Sequence, residues 1–375
     1  MPGGFWKHTT DGLIPSLASV SINASGTNIV LPGITGVQNR IYRVELTAAS
    51  ATTVQFQDGA TNLSGAMSLA AGTPLALLMD GNPWFTCSSG NAFNISLGGA
   101  VQVAGEIAYT AGVSGPDPST LAWVSAVNNV GGTVSATRQA QVDTLIKNLK
   151  SAGIWTGLDR MWIYAAENAQ QAQVDLVNLR SHTLNGAPAF SANRGYTGVD
   201  GSNTVFIDTG YNPTTSAVNF TQNAAHISLW TVTNLAAVTG GFGIGQGDGA
   251  LTVFQSSIVD TFNDGNLYLR INDAPPSGSQ GVPGTRTGHW LINRSAAAAT
   301  QGYQNGASFS NPNATSGAPL NFNFFVLDTN QGGSAGNFGT PNQLAMVSIG
   351  GNLSATQVAN FFAALRYYMT QVGVP

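Results

Sequence analysis

The sequence predicts a mainly β protein of two tandem β-sandwich or jelly-roll domains, with a short helical linker region between them and a C-terminal helix. Three observations predict this fold class. Turn signals recur roughly every 8–12 residues, the segments between them are short and often alternate apolar with polar residues, and a Pro- and Gly-rich stretch separates two such regions. With 375 residues, the chain is long enough for two domains of ordinary size.

The first predicted domain, residues 13–110, follows a Gly-rich N-terminal arm, residues 1–12. We expect Phe5 and Trp6 of this arm to form an assembly contact on a neighbouring subunit, because aromatic residues on a terminal tail usually dock on another surface. The single cysteine, Cys87, is expected to be a small buried residue and not a reactive thiol. The predicted strands are residues 19–22, 28–31, 41–48, 52–57, 75–79, 84–87, 93–97 and 102–109.

Period-two alternation in residues 41–46 predicts a strand with two different faces. The two faces are Ile41, Arg43 and Glu45 on one side and Tyr42, Val44 and Leu46 on the other. The Asp58-Gly59 pair further along predicts a hairpin turn, because Asp-Gly adopts positive φ at low cost.

Residues 111–118 are predicted to be a linker from their Pro and Gly content, and residues 119–183 to be a helical lead-in. Three helices are expected in this lead-in because apolar residues recur there at helical spacing. They are a helix capped by Asp117 or Ser119 and ended by Gly131-Gly132, a second over residues 135–152, and a short third over residues 168–178.

The second predicted domain, residues 184–375, returns to short strands and ends in an amphipathic helix. Ser354 and Gln357 form a capping box at the start of this helix, and Gly373 ends it. Its apolar face consists of Val358, Phe361, Phe362, Leu365, Met369 and Val372. The predicted strands are residues 205–208, 226–233, 241–245, 251–256, 267–272, 288–294, 299–304 and 322–328.

Charged residues make up only 8% of the chain, against about 25% in typical soluble proteins. We infer that much of the neutral polar surface faces other protein subunits or the hydroxyl groups of sugars. The net charge is −4 and the sequence has no run of Lys or Arg, which excludes a nucleic-acid footprint. The sequence has neither a membrane span of roughly 20 apolar residues nor the apolar region of a secretory signal, so we expect synthesis in a cytoplasm without export by the usual route.

Nine short segments of turn and core residues carry a resemblance to bacteriophage proteins. They are residues 40–44, 58–65, 69–72, 86–97, 105–109, 150–155, 195–202, 303–306 and 353–357. On the first five segments, residues 13–110 resemble a small β-sandwich domain of phage head and tail accessory proteins. On the last four, residues 119–375 resemble the concanavalin-like (laminin-G-like) jelly rolls of phage structural proteins.

This resemblance implies a virion protein, either a capsid decoration protein or a head fibre, and in some members glycan binding. On this hypothesis the N-terminal domain attaches to the major capsid protein or to other virion proteins and forms a homotrimer. The C-terminal domain then projects outward and adheres to host-surface polysaccharide. The alternative is a tail receptor-binding protein whose C-terminal domain acts as a lectin.

Catalytic groups are scarce, so the sequence predicts that the chain is not an enzyme. Glycoside hydrolases on concanavalin-like folds use carboxylates at alternate positions of one strand, and a retaining pair has its carboxyl groups about 5 Å apart. No Glu follows Glu167, and the candidate pairs, Asp200 with Asp208 and Asp260 with Asp264, lack that spacing. A polysaccharide hydrolase is therefore the least favoured alternative.

A calcium site is the one cofactor hypothesis that the sequence offers. Asp260, Asn263 and Asp264 supply hard oxygen ligands at close spacing, which suits Ca²⁺. A tight turn over residues 263–266 explains the same residues and is the favoured interpretation. Both alternatives stay open.

Sugar binding needs an aromatic surface beside amide or carboxylate groups. The candidate residues for a glycan site are Trp230, Tyr268, Trp290, Tyr303 and Asn305. Because aromatic residues in β-sandwiches belong to the core more often than to a site, each candidate has the alternative of a packing role.

Overall fold

The computed structural model describes residues 9, 13–113, 116–236, 238–249, 256–259, 262–274, 278–281 and 284–375. It confirms the mainly β class with a C-terminal helix. The chain divides into two compact units, Met1–Asp117 and Pro118–Pro375, and each has its own hydrophobic core. Phe5 and Trp6 of the predicted arm lie outside the described residues.

Unit 1 is a β-sandwich of two antiparallel sheets. Its strands are β1 (Ser16–Ile22), β2 (Gly26–Leu31), β3 (Val37–Ala48), β4 (Thr52–Asp58), β5 (Thr61–Asn62), β6 (Met67–Leu69), β7 (Pro74–Leu77), β8 (Phe85–Thr86), β9 (Phe93–Leu97) and β10 (Val103–Val113). One sheet has the order β1-β10-β3-β7 with β8 also on β3, and the other has the order β2-β9-β4-β5 with β6 also on β4. Strand β10 includes residues 111–113, the first three of the predicted linker.

The core of unit 1 lies between its sheets and includes Cys87, whose predicted burial is confirmed. Val44 and Leu46 point inward as the alternation of β3 predicts. Ile41 points inward as well, contrary to that prediction. The reason is a β-bulge at Tyr42, which is skipped in the pairing of β3 with β10 and reverses the alternation before it.

Unit 2 contains four α-helices, α1 (Pro118–Asn129), α2 (Ala136–Ser151), α3 (Ala169–Gln173) and α4 (Ala355–Gln371), within its described residues. Its strands are β11 (Leu158–Ile163), β12 (Thr183–Asn185), β13 (Ala189–Ser191), β14 (Gly195–Thr197), β15 (Phe206–Asp208), β16 (Ala225–Thr231), β17 (Phe242–Gly247), β18 (Ser256–Val259), β19 (Tyr268–Arg270), β20 (Gly288–Ala296), β21 (Ala299–Gln304), β22 (Ala307–Ser310), β23 (Phe325–Val326), β24 (Asn330–Gln331), β25 (Ser334–Ala335) and β26 (Gln343–Gly350). Of the predicted strand 251–256, residues 251–255 lie outside the described part of the chain. None of the described helices is both long and apolar enough to cross a membrane.

These strands form two sheets that pack face to face. The first, which we call the helix-covered sheet, has the order β13-β14-β26-β16-β20-β21-β22, with β11 also on β26. The second, which we call the outer sheet, has the order β12-β15-β23-β17-β18-β19, with β24 also on β17 and β25 on β24. The segment predicted as a separate helical lead-in belongs to this unit, because its strand β11 pairs along β26.

The helix-covered sheet is buried on both faces at its central strands β16 and β26. All seven residues of β16 are buried. Ile227 and Leu229 point into the core between the sheets. His226 and Trp230 point the opposite way, where Phe361 and Phe362 of α4 pack on them, with ring centroids 6.3 and 6.0 Å apart respectively. The sheet therefore has no face exposed to water along this strand.

Helices α2 and α4 are held in place by caps and by one buried arginine. The predicted capping box of Ser354 and Gln357 is confirmed, and Ser135 caps α2. The guanidinium of Arg138 on α2 donates to the hydroxyl of Tyr368 on α4 at 2.8 Å and to the carbonyl oxygen of Ala165 at 2.7 Å. This arginine thus joins the two helices to the chain just after β11.

The burial of His289 beneath α4 predicts an acid-sensitive stability. Neither of its ring nitrogens has a hydrogen-bond partner among the described residues, and burial, with a smaller contribution from His226, lowers its pKa from 6.5 to about 3. The unfolded chain therefore binds a proton below about pH 6.5 that the folded chain does not, so stability falls as the pH falls.

Replacing His289 by Leu removes this titration. We expect the free energy of unfolding of the wild type, relative to that of His289→Leu, to fall by up to about 1.4 kcal/mol per pH unit from pH 6.5 to pH 4. Urea unfolding of both proteins across this range measures the difference, and the range above pH 7, where the difference should be constant, is the control. A difference that does not change with pH would contradict a neutral buried imidazole.

Candidate functional site

Two of the predicted sugar-binding residues are buried tryptophans. Trp290 on β20 lies in the core between the sheets, where its Nε1 donates to the carbonyl oxygen of Arg286 at 2.8 Å. Trp230 on β16 lies under α4, stacked on Phe362. Their exposed fractions are 0% and 1%, so neither ring offers a face to a sugar. The prediction is wrong for both, because in this unit the helix-covered sheet has no solvent-facing side at β16 and β20.

Tyr303 and Asn305 are placed at the end of β21. Tyr303 is buried. Asn305 and Gly306 both have positive φ, 51° and 76°, and form the tight hairpin turn between β21 and β22. The side-chain oxygen of Asn305 accepts a hydrogen bond from the backbone N–H of His289 at 2.9 Å. The burial of Tyr303 argues against its predicted sugar-binding role. Asn305 serves the turn and is partly exposed, and its sugar-binding role stays a prediction.

Tyr268 lies on the opposite side of unit 2, at a pocket of about 170 Å³ on the outer sheet. Ile258 on β18 and Leu269 on β19 face the core, so their neighbours along each strand face away from it. Val259 is paired with Phe242 on one side and with Tyr268 on the other, which sets these three side chains in one row. The lining residues are Phe242, Val259, Phe262, Tyr268 and Arg270.

The walls of this pocket, which we call the outer-sheet pocket, are mainly aromatic. Phe262 meets Tyr268 edge to face, with ring centroids 5.8 Å apart and an interplanar angle of 84°. Phe242 packs on Phe338 at a centroid distance of 5.4 Å. Phe262, Tyr268 and Arg270 are partly exposed, whereas Phe242 and Val259 are buried. The pocket therefore has a buried apolar floor and a partly exposed rim.

A hydrogen-bonded turn fixes the rim of the pocket. The Tyr268 hydroxyl donates to Asp264 Oδ2 at 2.6 Å, and the backbone N–H and side-chain amide of Asn266 donate to the same carboxylate at 2.9 and 2.8 Å. The slight burial of Asp264 acts to raise its pKa, but the hydrogen bonds from Tyr268 and Asn266 outweigh it and hold the pKa below 3.8. Asp264 is therefore an ionised anchor for the tyrosine.

Arg270 completes the rim. Its guanidinium carbon lies 4.8 Å from the centroid of the Tyr268 ring, in cation–π geometry. The two residues are two positions apart on β19, so they share the face of the strand that points away from the core. Among the described lining residues, Arg270 alone carries a formal charge.

The predicted calcium ligands do not form a site among the described residues. Asp260 lies outside the described residues. Asn263 and Asp264 belong to the turn between β18 and β19, and the Asp264 carboxylate accepts three hydrogen bonds within that turn and from Tyr268. The described part of the chain contains no group of three or more His, Cys, Asp or Glu side chains that could hold a metal ion. The turn interpretation accounts for Asp264, and a role for Asp260 stays a prediction.

The carboxylates considered for hydrolysis at the sequence level have structural partners. Asp200 accepts hydrogen bonds from the backbone N–H groups of Thr239 and Gly240 at 2.8 and 3.2 Å. Asp208 accepts one from the side-chain amide of Asn323 at 3.0 Å. Each of these carboxylates therefore connects neighbouring loops.

Four of the five pocket residues were not identified from the sequence. The signal for Arg270 was present, because the Tyr268-Leu269-Arg270 triplet alternates and places the two polar side chains opposite a core leucine. Phe242, Val259 and Phe262 lacked such a signal. Their meeting depends on the pairing of β17 with β18 and of β18 with β19, and on the loop after β18, which period-two alternation does not reveal.

Comparison with known proteins gives weak structural matches and no sequence-family match. No family model and no curated protein matches the chain. Among solved structures, domain 4 of an extracellular GH43 arabinanase from Geobacillus stearothermophilus, in complex with arabinotriose, matches with 16% identity, a TM-score of 0.36, and coverage of 55% of this chain and 98% of that one. A Trypanosoma rangeli sialidase matches with 11% identity, a TM-score of 0.39, and coverage of 61% and 40%.

The binding domain of Paraclostridial Mosquitocidal Protein 1 matches with 15% identity, a TM-score of 0.41, and coverage of 56% of this chain and 52% of that one. This chain thus spans about half the length of the toxin domain and less than half of the sialidase. All three TM-scores lie below 0.5, so the description of the fold rests on the sheets and helices given above. The prediction that the chain is not an enzyme is corrected here, because the arabinanase and the sialidase are glycoside hydrolases, and it is withdrawn.

The Tyr268–Asp264 hydrogen bond can be tested by titration. Replacing Tyr268 by Phe removes the hydroxyl and keeps the ring, so the pKa of Asp264 should rise towards 3.8 because one donor to its charged form is lost. Carbon-detected NMR of ¹³C-labelled aspartate measures this pKa, and Tyr303→Phe, which lies on the other sheet, should leave it unchanged. An unchanged pKa in Tyr268→Phe would show that the contact is absent in solution.

Proposed function

We propose that this chain is a glycan-binding adhesion protein of a bacteriophage particle, and that the outer-sheet pocket binds one sugar residue. The observation that carries the proposal is the set of aromatic and polar side chains around this pocket, with Tyr268 fixed by Asp264 and stacked against Arg270. Aromatic faces contact the C–H groups of a sugar ring, and fixed polar groups at the rim select its hydroxyl groups.

The size of the pocket supports a single sugar ring as the occupant. Its volume of about 170 Å³ is below the roughly 300–1,000 Å³ of sites that enclose drug-sized ligands. The remaining residues of a polysaccharide would extend over the neutral polar surface of the unit. A single small site gives weak binding, which suits a protein that is present in many copies on one particle, because multivalency raises the overall avidity.

The setting on a virion is supported by the sequence resemblance to phage structural proteins and by the composition. A chain with 8% charged residues has little electrostatic repulsion between copies, which favours close association. In this proposal, unit 1 attaches to the major capsid protein or to another virion protein and forms a homotrimer. Immunogold labelling of intact particles locates the protein on head or tail, and labelling of neither would reject this part of the proposal. Sedimentation of the isolated protein tests the trimer.

The pocket can be tested with two truncated variants and one matched control. Phe262→Ala and Tyr268→Ala each remove an aromatic wall, so we expect each to weaken glycan binding by about tenfold or more. Trp84→Ala removes an aromatic residue of unit 1 that is 48% exposed, and it should bind as the wild type does. A glycan array that includes host envelope polysaccharide identifies the ligand, and isothermal titration with the best ligand gives the affinities.

Two outcomes would reject the pocket as the site. One is a protein that binds no glycan on the array or from the host envelope. The other is a ligand that Phe262→Ala and Tyr268→Ala bind as tightly as the wild type, with circular dichroism confirming that both variants are folded. Chromatography of the bound glycan after incubation reports any cleavage in the same experiment.

A further inference from the structure

The floor and the rim of the outer-sheet pocket differ in chemistry. Phe242 and Val259 form the floor and are only 2% and 1% exposed. The polar side chains among the described lining residues are those of Tyr268 and Arg270, and both lie at the partly exposed rim. A ligand group that reaches the floor therefore meets apolar side chains, whereas polar side chains are available only around the entrance.

Neighbouring contacts hold this floor in place. Val259 lies between the strand of Phe242 and the strand of Tyr268 and is paired with both residues. The Phe242 ring packs on Phe338, with ring centroids 5.4 Å apart. Close-packed side chains do not readily adopt new conformations. Because the two floor residues are almost fully covered, the apolar surface that they leave is small, and it suits a group of methyl size better than the face of a whole ring.

A methyl group suits this floor better than a hydroxyl group does. A sugar hydroxyl placed against Phe242 and Val259 would lose its hydrogen bonds to water and gain none from their side chains, which is unfavourable. A methyl group in the same place gains free energy because its apolar surface leaves water. A sugar that carries a methyl substituent can place it on the floor and keep its hydroxyl groups at the rim.

We propose that the outer-sheet pocket selects a sugar residue that carries a methyl group, and that Phe242 and Val259 contact this methyl group. The inference rests on the proposed glycan-binding function and deepens it. Phe262 and Tyr268 then contact the C–H groups of the ring, as aromatic walls do. Three kinds of sugar share this chemistry: N-acetylated sugars, O-acetylated sugars and 6-deoxy sugars. The test distinguishes between them.

The first part of the test uses the full-length wild type and matched pairs of glycans. N-acetylated oligosaccharides are paired with N-formylated ones, which lack only the methyl group. O-acetylated polysaccharide is paired with the same material after removal of the acetyl esters by base, and 6-deoxy sugars are paired with sugars of the same configuration that have the 6-hydroxyl group. We expect tighter binding of the methyl-bearing member, by about ten- to a hundredfold, in at least one kind of pair. That pair identifies the source of the methyl group.

The second part changes the floor itself. Val259→Thr keeps the shape of the side chain but adds a hydroxyl group, so the preference for the methyl-bearing member should fall by about tenfold. Val199→Thr is the matched control, because Val199 belongs to the same unit and is 51% exposed, and it should keep the wild-type preference. Val259→Ala removes methyl groups from the floor and should also reduce the preference. Thermal unfolding checks that each variant folds.

The outcomes separate this inference from the proposed function. Equal binding of both members of every kind of pair, with Phe262→Ala still weakened, would overturn the methyl preference and leave glycan binding in place. A preference that folded Val259→Thr and Val259→Ala both keep in full would overturn the floor as its origin. Binding of no glycan in any form would reject the proposed function itself. The wild-type pairs measure the preference without any variant, and Val259→Ala tests the floor where Val259→Thr does not fold.

Discussion

The structure of unit 2 depends on one constraint: its helix-covered sheet must be buried on both faces. A sheet buried on one side alternates apolar and polar residues, whereas in one buried on both sides the polar side chains find hydrogen-bond partners inside the protein or none. On β16 this is visible at His226 and Ser228. His226 is hydrogen-bonded to the carbonyl oxygen of Gly351 at 2.5 Å and to Ser348 Oγ at 3.2 Å, and Ser228 is bonded to Ser348 at 2.7 Å. Helix α4 packs on the face of β16 that points away from the core between the sheets.

This constraint also limits which faces of the two sheets reach solvent. Helix α4 covers one face of the helix-covered sheet, and the outer sheet covers the other. The outer-sheet pocket lies on the face of the outer sheet that points away from the core. Two aromatic residues of that face, Phe242 and Tyr268, pack outside the core between the sheets, on Phe338 and on Phe262 respectively.

Local patterns in the sequence predicted those features that depend only on residues close together in the chain. The capping box at Ser354 predicted the start of α4, and alternation within β3 predicted that Val44 and Leu46 share one face of the strand. Features that arise from distant pairing could not be predicted in this way. The bulge at Tyr42 depends on its partner strand β10, and the burial of Trp230 depends on a helix that begins more than a hundred residues later.

At the candidate site too, single residues could be predicted from the sequence, whereas the contacts between them could not. Tyr268 and Asp264 were singled out separately, one as a sugar-binding aromatic and the other as a calcium ligand, and the structure joins them in one hydrogen bond. The error for Trp290 and Trp230 has a simple physical cause: a large aromatic residue in a strand is equally suited to a core and to a sugar, and composition does not distinguish the two. Only what packs against the strand distinguishes a core position from a sugar-binding one.

The reactivity of Cys87 can report on the opening of unit 1. Its side chain is fully buried, and burial, with a smaller contribution from the nearby charge of Asp58, raises the pKa of its thiol to about 12. A thiol in this state does not react with an alkylating reagent until the surrounding strands open. Because the chain has no other cysteine, the rate of alkylation measures the opening of the first sandwich alone, separately from the second. The kinetic stability of unit 1 within the full-length protein thereby becomes accessible without any engineered label.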